Sequence, residues 1–508
     1  MANTGRSQSV QSVNGLFNRL GVRPKTLPRT RPLYRRLVTL IEGGIASGAV
    51  PAEFRLPAER DLASALRISR ATVVSAYREL EARGLVRGYV GRGTYVLARP
   101  DTASAPFAWR GKISSSALQA RDTTVRDLVR WAADPKVISL GAGEPALDCF
   151  PAESYREVAH DVMRRADVAM WRHAPVEGLP RFRAALARRF GGQPDNILVI
   201  AGAQQGLDLV ARCLIDPGDA VIIDRPGYLG AIQTFRAAGA RLVGWDIARG
   251  DVDELDELCL RYRPKLIFTN PTHHNPTGVT LPIRVRRDML GVARRYRVPI
   301  VEDDTYRELA LSSAIAPASL FDLDDGHEIV IRVNTFAKML APGLRLGWIS
   351  AVPAIVEELA IIKQQADPCK DNFGQRVACE LVERGLLDRH LIAIRAEHRR
   401  RRDALARALA ERVPAGHLSF HTPEGGMYLW CRLRPGVAAR RVQEHALRES
   451  VGIISGEPFF VDQGGTSQLR LCFTAQPPAR AARAAETLAR SIAAAEASSQ
   501  AYGSRLMA

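Results

Sequence analysis

The chain has 508 residues, more than one ordinary core accommodates, so two or more domains are expected. Its composition, 46% hydrophobic and 25% charged, is that of a soluble globular protein; no uncharged apolar run of about 18 residues marks a membrane span, and MANTGRSQSV carries no apolar signal segment. The formal charge of +17 is uneven, because residues 1–100 hold 17 Lys and Arg against 6 Asp and Glu, and such local basicity points to a polyanion such as nucleic acid.

The seven cysteines (Cys149, Cys213, Cys259, Cys369, Cys379, Cys431 and Cys472) are odd in number, scattered, and never in CxxC. Neither a disulfide framework nor a metal site is indicated, and the expected compartment is a reducing cytoplasm.

In chain order, residues 1–30 are polar, basic and aperiodic, and read as a flexible arm. Residues 31–98 form the first domain. AERDLASAL (58–66) reads as a short helix, RISR as a turn, and 70–83 as a second helix with Val73, Val74, Tyr77 and Leu80 on one face. Ser69 stands at the N-cap and Gly84 at the C′ position. Arg70 and Thr72 therefore project from a helix N-terminus, where base edges or phosphates are met. LVRGYVGRGTYVL then reads as two short strands whose tip can place Arg92 in a minor groove. The whole stretch from LYRRLVTLIEGG to GRGTYV resembles the GntR-type winged helix-turn-helix. That resemblance implies DNA contacts by Arg60, Ser69, Arg70, Thr72, Arg92 and Gly93.

Residues 99–137, rich in Ala, Ser and Pro over 99–125, are expected to form a linker. From 138 to 495, short apolar runs (ILVIAG, AVIIDRP, KLIFTNP, VPIVEDD, EIVIRVNTF, LGWIS) alternate with amphipathic segments. That alternation predicts an α/β domain with a largely parallel sheet covered by helices on both faces. The segment from GGMYLWCRL to LRLCFT predicts a smaller α+β lobe, and residues 496–508 are expected to be a tail.

Pyridoxal phosphate (PLP) requires an amine, a carboxylate for the pyridine nitrogen, phosphate donors and an aromatic face. Candidates for each fall at predicted strand ends, where open α/β sheets bind ligands. Lys338, after EIVIRVNTF, is the amine, and Thr335 and Arg345 flank it as phosphate donors. Asp303 closes VPIVEDD and suits the ring nitrogen, while Tyr306 and Asn275 suit the ring hydroxyl. Gly202, Ala203 and Gln204 open a helix whose amides suit the phosphate, and Tyr228 supplies a stacking face.

Residues 138–475 resemble a fold-type I aminotransferase. The resemblance implies a homodimer with cofactor sites near the subunit interface, and Arg470 as receptor of a substrate α-carboxylate. Ala337 stands where many relatives carry Ser, and His173 where a phosphate-contacting Tyr is common. The Asp303–Tyr306 spacing is that of catalytic members, so Lys338, Asp303 and Tyr306 form the candidate catalytic set. A winged helix joined to such a domain resembles the MocR-type regulators. That likeness implies a transcriptional regulator that senses an amino compound, or PLP itself, through a Schiff base at Lys338. An aminotransferase with an accessory DNA-binding head, and a PLP-storing scaffold, remain open alternatives at this stage.

Overall fold

The computed structural model describes residues 13–20, 33–89, 92–97, 112–114, 122–312, 316–326 and 328–506. These fall into two compact units, residues 1–113 and 114–508.

In the first unit, helices Leu33–Ala46, Glu59–Leu66 and Arg70–Ala82 are followed by an antiparallel hairpin of β1 (Val86–Tyr89) and β2 (Gly93–Val96). Segment 53–56 lies along β2, with Glu53 N–H donating to Val96 O and Leu56 N–H to Thr94 O, each at 2.8 Å. Leu37, Ile41, Leu62, Val73, Tyr77, Leu80 and Val96 interdigitate in one core. Ala76 is buried beside Val73 and Tyr77, while Val74, expected on that face, is only half-buried.

The arm expected over 1–30 is corrected in part, since it contains a helix, Val13–Leu20. Val13, Leu16, Phe17 and Leu20 fall at i, i+3, i+4 and i+7, and the middle two are buried in the same core. Gly44 makes room for this helix: a Cβ there would lie 2.2 Å from Leu20.

The second unit begins earlier than expected. Helix Thr124–Ala133 occupies part of the stretch assigned to a linker, and Leu128 and Trp131, one turn apart, pack against Leu229, Ile454 and Phe459. A short β3 (Ile138–Ser139) lies outside the main sheet. That sheet contains β4 (Ile197–Ile200), β5 (Ala220–Arg225), β6 (Arg241–Asp246), β7 (Leu266–Thr269), β8 (Ile300–Asp303), β9 (Val330–Thr335) and β10 (Gly347–Ser350). The spatial order is β4-β10-β9-β8-β7-β5-β6, and every pairing is parallel except those of β10, which is antiparallel to both neighbours. The central strands are buried on both faces, as their unbroken apolar runs require.

The smaller lobe holds β11 (Leu418–Phe420), β12 (Tyr428–Leu433), β13 (Val451–Gly452), β14 (Ile454–Ser455) and β15 (Gln468–Cys472). An antiparallel sheet runs β11-β12-β15-β14, and β13 pairs in parallel with β3. The expected tail at 496–508 is also corrected, because helix Ala481–Leu506 runs through that boundary, with Ala484, Leu488 and Ile492 buried on its inner face.

Candidate functional site

The parallel strands end in a row of polar residues facing the small lobe. After β9, Thr335 caps a four-residue helix, Phe336–Met339, its hydroxyl accepting from Ala337 N–H at 3.0 Å. That turn carries Lys338, whose Nζ donates to Gly143 O at 2.5 Å. Asp303, the last residue of β8, is buried and accepts from the Thr305 N–H at 3.3 Å and from its hydroxyl. Asn275 donates through Nδ2 to the Tyr306 hydroxyl at 3.2 Å, and that hydroxyl lies 3.2 Å from the hydroxyl of Tyr428. Arg470 reaches in from β15, donating to Asn275 Oδ1 at 2.9 Å and to Gly141 O at 2.5 Å. Its guanidinium lies 4.4 Å from the Tyr428 ring centre and 4.9 Å from that of Phe459.

Burial dominates the electrostatics. It pushes the Asp303 carboxyl up to about 6, against the opposing effects of the Thr305 hydrogen bonds and the Lys338 charge. It holds the Lys338 amine below its usual range; Arg470 adds to that shift, and Asp303 and Glu144 oppose it. An amine so desolvated carries its nucleophilic lone pair more of the time. Arg470 is 5% exposed, its Nε has no partner, and no described carboxylate pairs with it. A buried guanidinium without a counter-charge is costly on its own and favours an incoming anion.

On the other side of Lys338, Gly202 (φ 87°) precedes helix Ala203–Leu214. Arg345 donates to Ala201 O at 2.6 Å, and a Cβ on Gly202 would meet its guanidinium at 3.1 Å. Gln204 donates to Thr234 Oγ1 at 2.6 Å, and the Tyr228 hydroxyl is 3.5 Å from Gln204 Oε1. A cavity of about 660 Å³ adjoins Gln204 and Arg345 on the side away from Lys338, with Asp122 and Asp208 also in its lining. Helix-end amides and a permanent cation suit a phosphate. Together with the desolvated lysine and buried carboxylate, they fit PLP. The structure thus brings every expected residue to this region except His173, which is exposed in the loop after the 3-10 turn Val168–Trp171 and enters none of these contacts. Its placing came from the resemblance, which also implies cofactor sites near a subunit interface, and within the single chain its side chain is exposed.

Sequence reasoning passed over Tyr428, Asn270, Gly141 and Gly143. Tyr428 and Gly143 are 285 positions apart, and only the fold shows that a Cβ at Gly143 would overlap the Tyr428 hydroxyl at 2.0 Å. The LGAGEP stretch was the available signal for the glycines.

In the basic head, Ser69 caps helix Arg70–Ala82, accepting from Thr72 N–H at 3.1 Å, and its hydroxyl lies 2.8 Å from that of Thr72. Arg70 is exposed at the helix N-terminus, and its Nε and a terminal nitrogen donate to Glu59 Oε2 at 3.2 and 3.0 Å. Arg60 and Arg92 are exposed. Gly93 (φ 101°) lies under Arg55 of the segment that runs along β2, since a Cβ there would approach Arg55 Nε at 2.8 Å. Gly91 of the expected tip, and Val90 before it, lie outside the described residues.

A desolvated lysine on this fold, joined to a capped-helix head, defines a PLP-binding chain with a DNA-binding domain. Comparison with known proteins agrees: residues 135–488 match the aminotransferase class I and II family, and residues 33–96 match the gntR family of bacterial regulatory proteins. The chain belongs to the aminotransferase class I and II family and, with its GntR domain, has the two-part make-up of MocR-type regulators. It is 34% identical to a 2-aminoadipate transaminase of Thermus thermophilus over 72% of this chain and 93% of that one. It is 29% identical to the uncharacterized HTH-type transcriptional regulator YdfD of Bacillus subtilis (87% and 93% covered) and to the probable rhizopine catabolism regulatory protein MocR of Rhizobium meliloti (79% and 82%). Among solved structures, the α-aminoadipate aminotransferase LysN of Thermus thermophilus superposes with a TM-score of 0.72 at 32% identity, covering 77% of this chain and all of that one.

Proposed function

We propose that the protein is a PLP-dependent transcriptional regulator whose DNA affinity responds to an amino acid, or a similar amine bearing a carboxylate. The observation that carries the ligand class is Arg470: buried, unpaired with any described carboxylate, and hydrogen-bonded to Asn275 in the same cluster as Lys338. Bound PLP supplies a carbonyl that condenses reversibly with amines and a ring that draws off electrons. Lys338 provides the amine, Asp303 holds the ring nitrogen, Asn275 and Tyr306 hold the ring hydroxyl, and Tyr228 covers one ring face. Gly202, Ala203, Gln204, Thr335 and Arg345 hold the phosphate. Arg470 orients the incoming carboxylate.

In the head, Arg60, Ser69, Arg70, Thr72, Arg92 and Gly93 contact DNA, with Glu59 pre-orienting Arg70 across the turn. Two copies associate, so that two heads meet one operator. The cytoplasm is the working compartment, supported by seven cysteines that are all unpaired. Among the described residues no helix is long and apolar enough to cross a membrane.

The test is footprinting of the DNA upstream of its own gene, with and without a panel of amino acids, beside a turnover assay on the same sample. A ligand-dependent footprint that Lys338→Ala abolishes, with DNA binding retained, is the expected result. A second reading, working amino-group transfer, is favoured by the complete Lys338, Asp303, Tyr306 and Arg470 set. Brisk turnover with a keto-acid acceptor, together with a footprint indifferent to every amine, would establish it instead.

A further inference from the structure

At the ends of β7 and β8, one side chain ties together two residues of the cofactor site. Asn270 is fully buried. Its Oδ1 accepts from the Asn275 backbone N–H at 2.7 Å, and its Nδ2 donates to the backbone carbonyl of Asp303. Both partners are main-chain groups with a single possible role, so the carboxamide has one orientation. The Asn270 N–H in turn donates to Asp224 Oδ2 at 2.7 Å, within the sheet interior.

His274 backs this arrangement, its Nε2 standing 3.5 Å from the same Asp224 oxygen with both side chains buried. The Thr277 N–H lies 3.3 Å from His274 Nδ1, and the Thr277 hydroxyl 2.8 Å from it. An N–H can only donate, so Nδ1 accepts and Nε2 is the nitrogen turned toward Asp224. Asn270 is thus held by Asp224, with His274 packed behind it, and the two cofactor residues are held by Asn270.

A buried Asn after a strand is often no more than a backbone patch. What separates this one is where its two bonds end. One ends on the residue assigned to the ring nitrogen and the other on a residue assigned to the ring hydroxyl, so its loss frees both. We propose that Asn270, backed by Asp224 and His274, is the positioning residue that fixes Asp303 and Asn275 relative to each other and so sets how tightly and how rigidly PLP is held. The inference rests on the cofactor roles given above for Asp303 and Asn275.

The test uses full-length Asn270→Ala and Asn270→Asp, the second keeping an acceptor for Asn275 and losing the donor to Asp303. Asn196→Ala is the control, a buried asparagine that donates to Ala351 O at 2.8 Å outside the site. Thermal melting of the PLP-free forms reports the fold. PLP titration and the visible circular dichroism of bound PLP report the site. Both Asn270 variants should weaken PLP binding about tenfold or more, as loss of an outer partner does elsewhere, and should shrink the visible dichroism. Asn196→Ala should lower only the melting temperature. Folded Asn270 variants with wild-type affinity and dichroism would overturn the proposal, as would an equal loss of affinity in Asn196→Ala. Failure of both Asn270 variants to fold would also overturn it, in favour of a purely structural role. A wild-type chain that takes up no PLP would instead sink the cofactor assignment itself.

Discussion

Asp303 and Lys338 are both held away from their ordinary ionisation by the same burial. For Asp303 the direction fixes a pH dependence. In the PLP-free protein the carboxyl sits at about 6; pairing with the pyridinium of bound PLP requires the carboxylate and draws that value down. Binding below pH 6 must then expel a proton, so PLP affinity should fall as pH drops through 6, approaching about tenfold per unit. Asp303→Asn should bind PLP weakly at every pH and lose that slope; an Asn variant that keeps the slope would assign it to another group. Lys338→Ala should abolish the yellow absorption of the protein while sparing its binding to DNA. The residues of this site were legible because each has a rigid job at a strand end. Tyr428 and Asn270 were not, because nothing in their own neighbourhoods shows that the fold presses them against Gly143 and Asp303.

At the scale of elements, the recognition helix and the hairpin should separate by experiment. Arg70→Ala should cost about 1–3 kcal/mol against the operator and relax base discrimination. Arg92→Ala should weaken all sequences alike and lower the salt slope by about one. Equal losses on specific and random DNA from both variants would remove Arg70 from base readout. The helix Val13–Leu20 makes a different forecast. Phe17 is 2% exposed in the head's core, so Phe17→Ala should cost about 3–5 kcal/mol of head stability, read by denaturant unfolding. An unfolding midpoint unchanged by that substitution would detach the helix from the core. The apolar spacing of this helix was present in the sequence, but eight residues inside a basic, polar stretch are too few to stand out. The hidden helix at Thr124–Ala133 escaped notice for a related reason: its Ala- and Ser-rich approach sets the composition of the window, while two large side chains set the packing.

At the scale of the molecule, each unit has a hydrophobic core of its own. Residues 1–113 should therefore fold alone and bind operator DNA more weakly than the full chain, because the fragment loses the second head that association supplies. Gel-shift titration of the two forms checks this; equal affinity would argue that the full-length protein engages DNA through one head. In the full chain, a coupling of about 1–3 kcal/mol between amine site and head suffices to change DNA affinity by about 5- to 150-fold.

The antiparallel strand β10 carries a consequence for how the protein is made. β4 has one neighbour in the sheet, β10, with Ile200 opposite Gly347 and Ile197 opposite Ser350. During synthesis, β4 leaves the ribosome long before its partner and must wait for about 150 residues of chain with an entire edge unbonded. The head has all its contacts in hand by then and can fold while the rest is still being translated. The nascent chain thus passes through a stage in which a finished DNA-binding module is followed by an apolar strand, β4, not yet joined to any sheet. In that interval a chaperone would find its substrate at Ile197–Ile200, and premature release would leave a head competent for DNA with no means of answering an amine.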